Sequence, residues 1–333
     1  ILLLTKKGFR SLSSSELLSS GSHRKMHLPG RLFVYDPPKN LVAFETAPRF
    51  RRHVVFVGGL TDGFLCTPYV APLAHLCEEL GWNFVQPLLR SSYVGFGTAS
   101  LTTDAEDIDS LLGALCGDAS DGGYSSGSGG GNGDGGSGGS KGDGESSCDC
   151  WGGSSTNASP AMMHPEANVV LVGHSTGCQD AVTYLRLGRH RALIRGVVLQ
   201  APTSDREEAA PRPETAGLVA AARAMRDAGR AEELMPRAAG PAPITASRFL
   251  SLAAGEGDDD LFSSDFDAGR MAALLGHVMV PTLVLFSGAD QYVPPAVDKL
   301  RLVAALAAAM PGAAGRGVLV EGADHAMTGH IGE

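Results

Sequence analysis

The chain has 333 residues, 43% of them hydrophobic and 19% charged, with a formal net charge of −9. That length fits one large domain with insertions or two small ones. The acidic balance, with no dense Lys/Arg run, argues against a nucleic-acid partner, and no apolar stretch reaches the roughly 18 residues of a membrane span.

Residues 1–28 open the chain as an unstructured leader. They carry Lys6, Lys7, Arg10, Arg24 and Lys25 against Glu16, with many serines. This composition resembles part of an organelle transit peptide. It equally fits an unstructured terminus, or sequence upstream of a start at Met26. The compartment expected is cytoplasmic or organellar, not secreted. The six cysteines are scattered, and Cys148–Asp149–Cys150 lacks a second pair at zinc-like spacing. Reduced thiols are expected, with no metal site.

From Gly30 to about His330 the pattern is of one domain. Leu32–Tyr35 and Leu41–Glu45 read as an antiparallel pair around Asp36–Asn40. Val54–Val57 is a strand running into Gly58–Gly59. Leu65–Leu80 has helical periodicity, Asn83–Val85 is a short strand, and Thr102–Leu115 is a helix with Thr103 as cap and Asp104, Glu106 and Asp107 in its first turn. Residues 117–160 are Gly/Ser-rich with few apolar side chains, and such a segment buries too little surface to offset its ordering entropy. It is expected to be a disordered insertion at the edge of the sheet where the strands begin, away from any ligand site at the opposite edge.

Val169–Val172 then reads as a buried strand, followed by Gly173–His174–Ser175–Thr176–Gly177 and a helix from Cys178 to Leu187. A serine on a sharp strand-to-helix turn needs neighbours without Cβ, because the turn brings backbones together and demands unusual φ. The same Gly-x-Ser-x-Gly pattern occurs at Ser125, Ser137 and Ser140, but inside the Gly/Ser tract with no strand before or helix after. Only Ser175 has the right context. Gly196–Gln200 is another strand. Residues 206–270, alanine-rich and broken by prolines, read as a helical cap inserted between sheet strands. Thr282–Phe286, a helix over Ala296–Ala309, and Gly317–Val320 resume the alternation, predicting a mostly parallel sheet flanked by helices.

A serine hydroxyl needs a base, and the base needs an orienting acid. Asp290 follows the strand Thr282–Phe286, and His325 follows Gly317–Val320, giving the order Ser…Asp…His. Asp205, after the strand that precedes the cap, is the alternative acid. Asp324 should point elsewhere, and His174 reads as buried in the turn. The backbone N–H groups of Thr176 and Leu60 are candidate oxyanion donors. Gly59, Arg90, Ser92 and Tyr93 are candidate pocket residues, although Leu89–Gly97 also fits a Gly-rich surface loop. The loop Gly58–Gly63 lacks the residues of a phosphate-binding or dinucleotide fingerprint. None of this chemistry calls for a cofactor.

In these residues the chain resembles the α/β-hydrolase superfamily, and within it the DUF1749 family, which includes fungal siderophore esterases. The resemblance rests on Gly58–Gly63, Ser91–Gly97, Gly173–Asp180, Gln200–Glu207 and Gly322–His325, and spans most of residues 30–330. It implies an α/β-hydrolase fold, Ser175 as nucleophile, His325 as base, Asp290 as acid, and ester hydrolysis; the large insertion and the alanine-rich helical cap depart from the family pattern. The expected function is cleavage of a small-molecule carboxylic ester through an acyl-enzyme. A non-catalytic or slow-turnover binding protein on the same fold is the alternative, with transacylase or lyase chemistry behind it.

Overall fold

The computed structural model describes residues 27–46, 48–117, 168–255 and 257–330. The leader expected at 1–28 and the insertion at 117–160 lie outside them, apart from residues 27, 28 and 117, as do Cys148 and Cys150.

Eight strands form one sheet: β1 (Arg31–Asp36), β2 (Leu41–Thr46), β3 (Arg52–Val57), β4 (Asn83–Pro87), β5 (Asn168–His174), β6 (Ile194–Gln200), β7 (Thr282–Ser287) and β8 (Gly317–Val320). Their spatial order is β1-β2-β4-β3-β5-β6-β7-β8. The first two are joined antiparallel and β2 meets β4 antiparallel; every later neighbour is parallel. The central strands β3 and β5 carry the uninterrupted runs Val54–Val57 and Val169–Val172 because helices cover both faces of a parallel sheet.

The helices are α1 (Val70–Glu79), α2 (Leu101–Cys116), α3 (Gly177–Leu187), α4 (Asp205–Ala209), α5 (Thr215–Asp227), α6 (Ala246–Ala253), α7 (Ala268–Leu275) and α8 (Lys299–Ala309). Three of them depart from expectation at their starts. Helix α1 begins at Val70 rather than Leu65, because Leu65 takes a left-handed φ of 58° and its N–H is tied to Gln86 Oε1 at 2.8 Å. The cap of α2 is Ser100, not Thr103; Thr103 sits three residues in and completes a capping box with it. Helix α8 starts at Lys299, capped by Asp298, whose side chain accepts from Arg301 N–H at 3.0 Å.

Residues expected as one cap at 206–270 divide in two. Helices α5 and α6 enclose a small core of their own, with Ala222, Met225, Ile244, Phe249 and Leu250 packed around Phe96. Further on, Leu261, Phe262, Met271 and Leu275 join the main core instead, beside Leu306 and Phe286. Residues that flank the Gly/Ser insertion lie at the edge where the parallel strands begin: Asn168 opens β5 and pairs with Arg52 at the start of β3. Among the described residues no helix is long and apolar enough to cross a membrane.

Candidate active site

Ser175 stands directly after β5 with φ of 53°, a left-handed conformation that a residue with Cβ adopts at a cost. Two backbone hydrogen bonds hold it there. Its N–H donates to Gln200 O at 3.0 Å, and its own carbonyl accepts from Cys178 N–H at 2.9 Å. The two motif glycines have no room for a side chain: a Cβ on Gly173 would come within 2.3 Å of Gly177 O, and one on Gly177 within 2.2 Å of Val57 O. Gly59 faces the nucleophile itself, since a Cβ there would lie 2.6 Å from Ser175 Cβ.

His325 and Asp290 come together as a buried pair, 6% and 3% exposed, with His325 Nδ1 2.7 Å from Asp290 Oδ2. The carboxylate can only accept, so Nδ1 carries the proton and Nε2 is left as the basic nitrogen. The two loops that carry them are stitched together: Gly288 N–H donates to Val320 O and Ala289 N–H to Ala323 O, each at 2.8 Å. Gln291 Oε1 accepts from His325 N–H at 3.1 Å, and the Tyr292 ring meets the imidazole edge-on at 4.7 Å.

Ser175 and His325 both line a cavity of about 630 Å³ between the sheet edge and the cap, a size typical of small-molecule sites. Asp205 also borders it but is not the partner of His325. It opens α4, and Gln179 Nε2 donates to its Oδ2 at 3.4 Å. Burial, followed by the negative charge of Asp259, pushes its carboxyl up to about 7. His174 is buried beneath the turn, where burial and then the neighbouring His325 press its pKa down to about 4, so it is neutral at pH 7.

The loop after β3 is held by Asp62, whose carboxylate accepts from Gly59 N–H at 2.7 Å while its own N–H donates to Gly59 O at 3.1 Å. Among the described residues the N–H groups of Leu60 and Thr176 form no hydrogen bond. Leu60 borders the large cavity, and Leu60, Gly59, Thr176 and Ser92 border a small one beside it.

Two expected pocket residues serve elsewhere. Arg90 is a clamp, its Nε 2.9 Å from Asp107 Oδ1 and its Nη2 2.8 Å from Glu106 Oε2. Asp107, expected in the first turn of the helix, lies beyond it and is fully buried. Tyr93 folds over Gly63, its hydroxyl within 2.2 Å of where a Cβ would be, and stays half exposed outside the large cavity. Ser92 turns its Oγ to Leu89 N–H at 3.0 Å.

Gln200, missed by sequence reasoning, ties the site together. It ends β6 in register with His174. Its Oε1 accepts from the Tyr69 hydroxyl at 2.8 Å and meets His174 Nδ1, and its Nε2 donates to His325 O at 3.1 Å. The available signal was a lone amide closing the apolar run Val197–Leu199. Nothing local marked Tyr292 or Gln291, which matter only because two separate loops meet.

Comparison with known proteins follows the same line. A solved structure of the siderophore hydrolase EstB from Aspergillus fumigatus superposes with a TM-score of 0.61 at 29% identity, covering 91% of this chain and 92% of that one. An alpha/beta hydrolase fold protein of unknown function gives 0.56 at 23% identity over 89% and 86%, which supports the fold. The fusarinine C esterase sidJ of A. fumigatus is 32% identical over 82% of this chain and 80% of its own length. The UPF0613 protein PB24D3.06c of Schizosaccharomyces pombe is 31% identical over 83% and 82%. The model of the family described as protein of unknown function (DUF1749) matches residues 23–126 and 155–332. The chain adopts the α/β-hydrolase fold and belongs to the DUF1749 family.

Proposed function

We propose that the protein is a serine esterase that cleaves a small-molecule carboxylic ester through an acyl-enzyme. One observation carries the reading: His325, 2.7 Å from the buried Asp290, borders the same cavity as a serine held at φ 53°. The names of two relatives, an esterase and a siderophore hydrolase, support ester cleavage.

In this mechanism Ser175 Oγ attacks the acyl carbon as its proton passes to His325 Nε2, and Asp290 stabilises the imidazolium that forms. Negative charge gathers on the former carbonyl oxygen, where the free N–H groups of Leu60 and Thr176 receive it. His325 then gives the proton to the leaving alcohol. Water enters, passes its own proton to His325 and attacks the acyl carbon; the bond to Ser175 Oγ then breaks as His325 returns that proton to Oγ, releasing the acid and restoring the serine. His174, neutral at pH 7, takes no part in proton transfer; it packs against His325 with ring centroids 5.0 Å apart.

A series of p-nitrophenyl esters of increasing acyl length tests the proposal. Turnover by the wild type and none by Ser175→Ala is the expected result. Ligand-induced thermal stabilisation without product release from any ester would overturn it in favour of a binding protein.

A further inference from the structure

A second buried cluster lies beside the diglycine loop, around a cavity of about 20 Å³, room for about one water molecule. Asp104 from the first turn of α2 and Asp180 from the first turn of α3 both border it, 2% and 4% exposed. Packing of α2 on α3 brings both carboxyl groups to this one small space. Even so, Asp104 Oδ1 and Asp180 Oδ1 have no donor, and neither does the hydroxyl of Thr176, which borders the same cavity.

The charges facing this pair come from every element around it. Arg248 of α6 points its Nε at Phe96 O, 2.9 Å away, and pairs through Nη1 with Asp259. Asp107 lies one turn along α2, already held by Arg90 and Lys39. Ser91 borders the same cavity. One guanidinium thus stands against Asp104, Asp180 and Asp259. Arg248 is committed to Asp259, which leaves the other two carboxyls without a cation of their own. Two such groups facing one small cavity, out of bulk water, cannot both be ionised at modest cost.

We propose that Asp104 and Asp180 share a single proton, and that this acid pair, bridged by one water to the Thr176 hydroxyl, positions the Thr176 N–H for the oxyanion. Asp180 and Asp104 are positioning residues: they act through Thr176 and touch no substrate. The positioning role rests on the esterase reading above; the shared proton does not. Burial supports it, pushing the Asp180 carboxyl well above the usual carboxylate range and Asp104 up to about 6. A raised pKa of this kind gives stability that is full below the ordinary carboxylate range and lost as pH rises through the folded value. Alkaline pH therefore removes the proton, sets two anions against each other, and disturbs Thr176.

Infrared difference spectroscopy of the resting protein reads the proton directly. At pH 7 the wild type minus Asp180→Asn should show the carbonyl stretch of a protonated carboxylic acid, and so should the wild type minus Asp104→Asn, which also serves if the first variant fails to fold. Both subtractions leave Asp205 unchanged, so its own carboxyl cancels. No such band in either difference overturns the shared proton. Sodium or potassium raising the melting temperature of the wild type, but not of Asp180→Asn, would likewise overturn it, with a monovalent cation in the proton's place. The positioning role is read from kcat against pH on an ester substrate. Asp180→Asn, whose amide can still donate to Asp104, should lose the alkaline fall in kcat that the wild type shows. Asp180→Ala should lower kcat about tenfold at all pH with little change in KM, less than outright loss of an oxyanion donor costs. Wild type and Asp180→Asn sharing one pH profile would overturn the positioning role, even with the infrared band present.

Discussion

The floor and the roof of the large cavity are built on different principles. The floor is the edge where the parallel strands end, and strain is concentrated there: Ser175, Ala201, Thr61 and Tyr93 all take φ between 53° and 66° in the connections that leave strands β5, β6, β3 and β4. Backbone hydrogen bonds from the N–H groups of Ser175, Ala201 and Tyr93 hold three of these positions, as strained residues require. The roof is the cap, which presents Ala209, Ala238, Ala239, Ala242 and Ala253 to the same space. Small side chains set the roof's shape through backbone paths and the packing of α5 on α6, so a change of a methyl group there alters volume without touching chemistry. The difference teaches that reaction type resides in the floor and substrate fit in the roof.

Substitutions of the floor should therefore act on kcat, and the largest effect belongs to the nucleophile. Ser175→Ala should lower kcat for a p-nitrophenyl ester on the order of 10⁶-fold with the fold intact. Asp290→Asn, which leaves Nδ1 of His325 without its carboxylate, should cost about 10⁴-fold in kcat. Asp205→Asn should cost less than about tenfold, because Asp205 does not touch the imidazole. An Asp205→Asn loss as large as that of Asp290→Asn would make Asp205 the working acid. Gly59→Ala drives a Cβ to 2.6 Å from Ser175 Cβ, and moving the nucleophile by a fraction of that should cost about 10² in kcat.

The roof gives smaller and different effects. Ala239→Val should raise KM for long acyl chains by roughly tenfold and leave short ones nearly alone, measured across the ester series. An equal fall in kcat for every chain length would erase the distinction between floor and roof.

Two stability effects are smaller still. Asp205 has a raised pKa in the fold, so its favourable contribution is complete below the ordinary carboxylate range and is lost as pH rises through about 7. Asp205→Asn should therefore raise the melting temperature more at pH 8.5 than at pH 5, read by thermal scans at both. Ser175→Gly should relieve the left-handed strain and stabilise the inactive protein by ~1 kcal/mol, read by urea unfolding.

Much of the floor was legible in the chain because its signals are local. The Gly173–Gly177 motif forces a specific turn, and Asp290 and His325 each follow a strand that alternation alone revealed; Gly317–Val320 spans the residues expected of it. What stayed hidden depends on partners distant in sequence. Whether Asp290 or Asp205 meets His325 is decided by two loops stitched together between residues 288 and 323. Arg90 and Tyr93 look like pocket residues in a loop of polar and glycine residues, yet Arg90 is taken by Asp107, 17 positions on, and Tyr93 by the space over Gly63. Gln200 unites His174, Tyr69 and His325 across more than 120 positions. Asp104 and Asp180 meet only because α2 packs on α3, and helix-start acids are ordinary enough to pass unnoticed.

The most direct test of the central claim is peptide mapping, by mass spectrometry, of the adduct formed with a fluorophosphonate. The account predicts one adduct per chain on Ser175 in the wild type, greatly slowed formation in His325→Ala, and none in Ser175→Ala. An adduct on another residue, or equal labelling of Ser175→Ala, would contradict it.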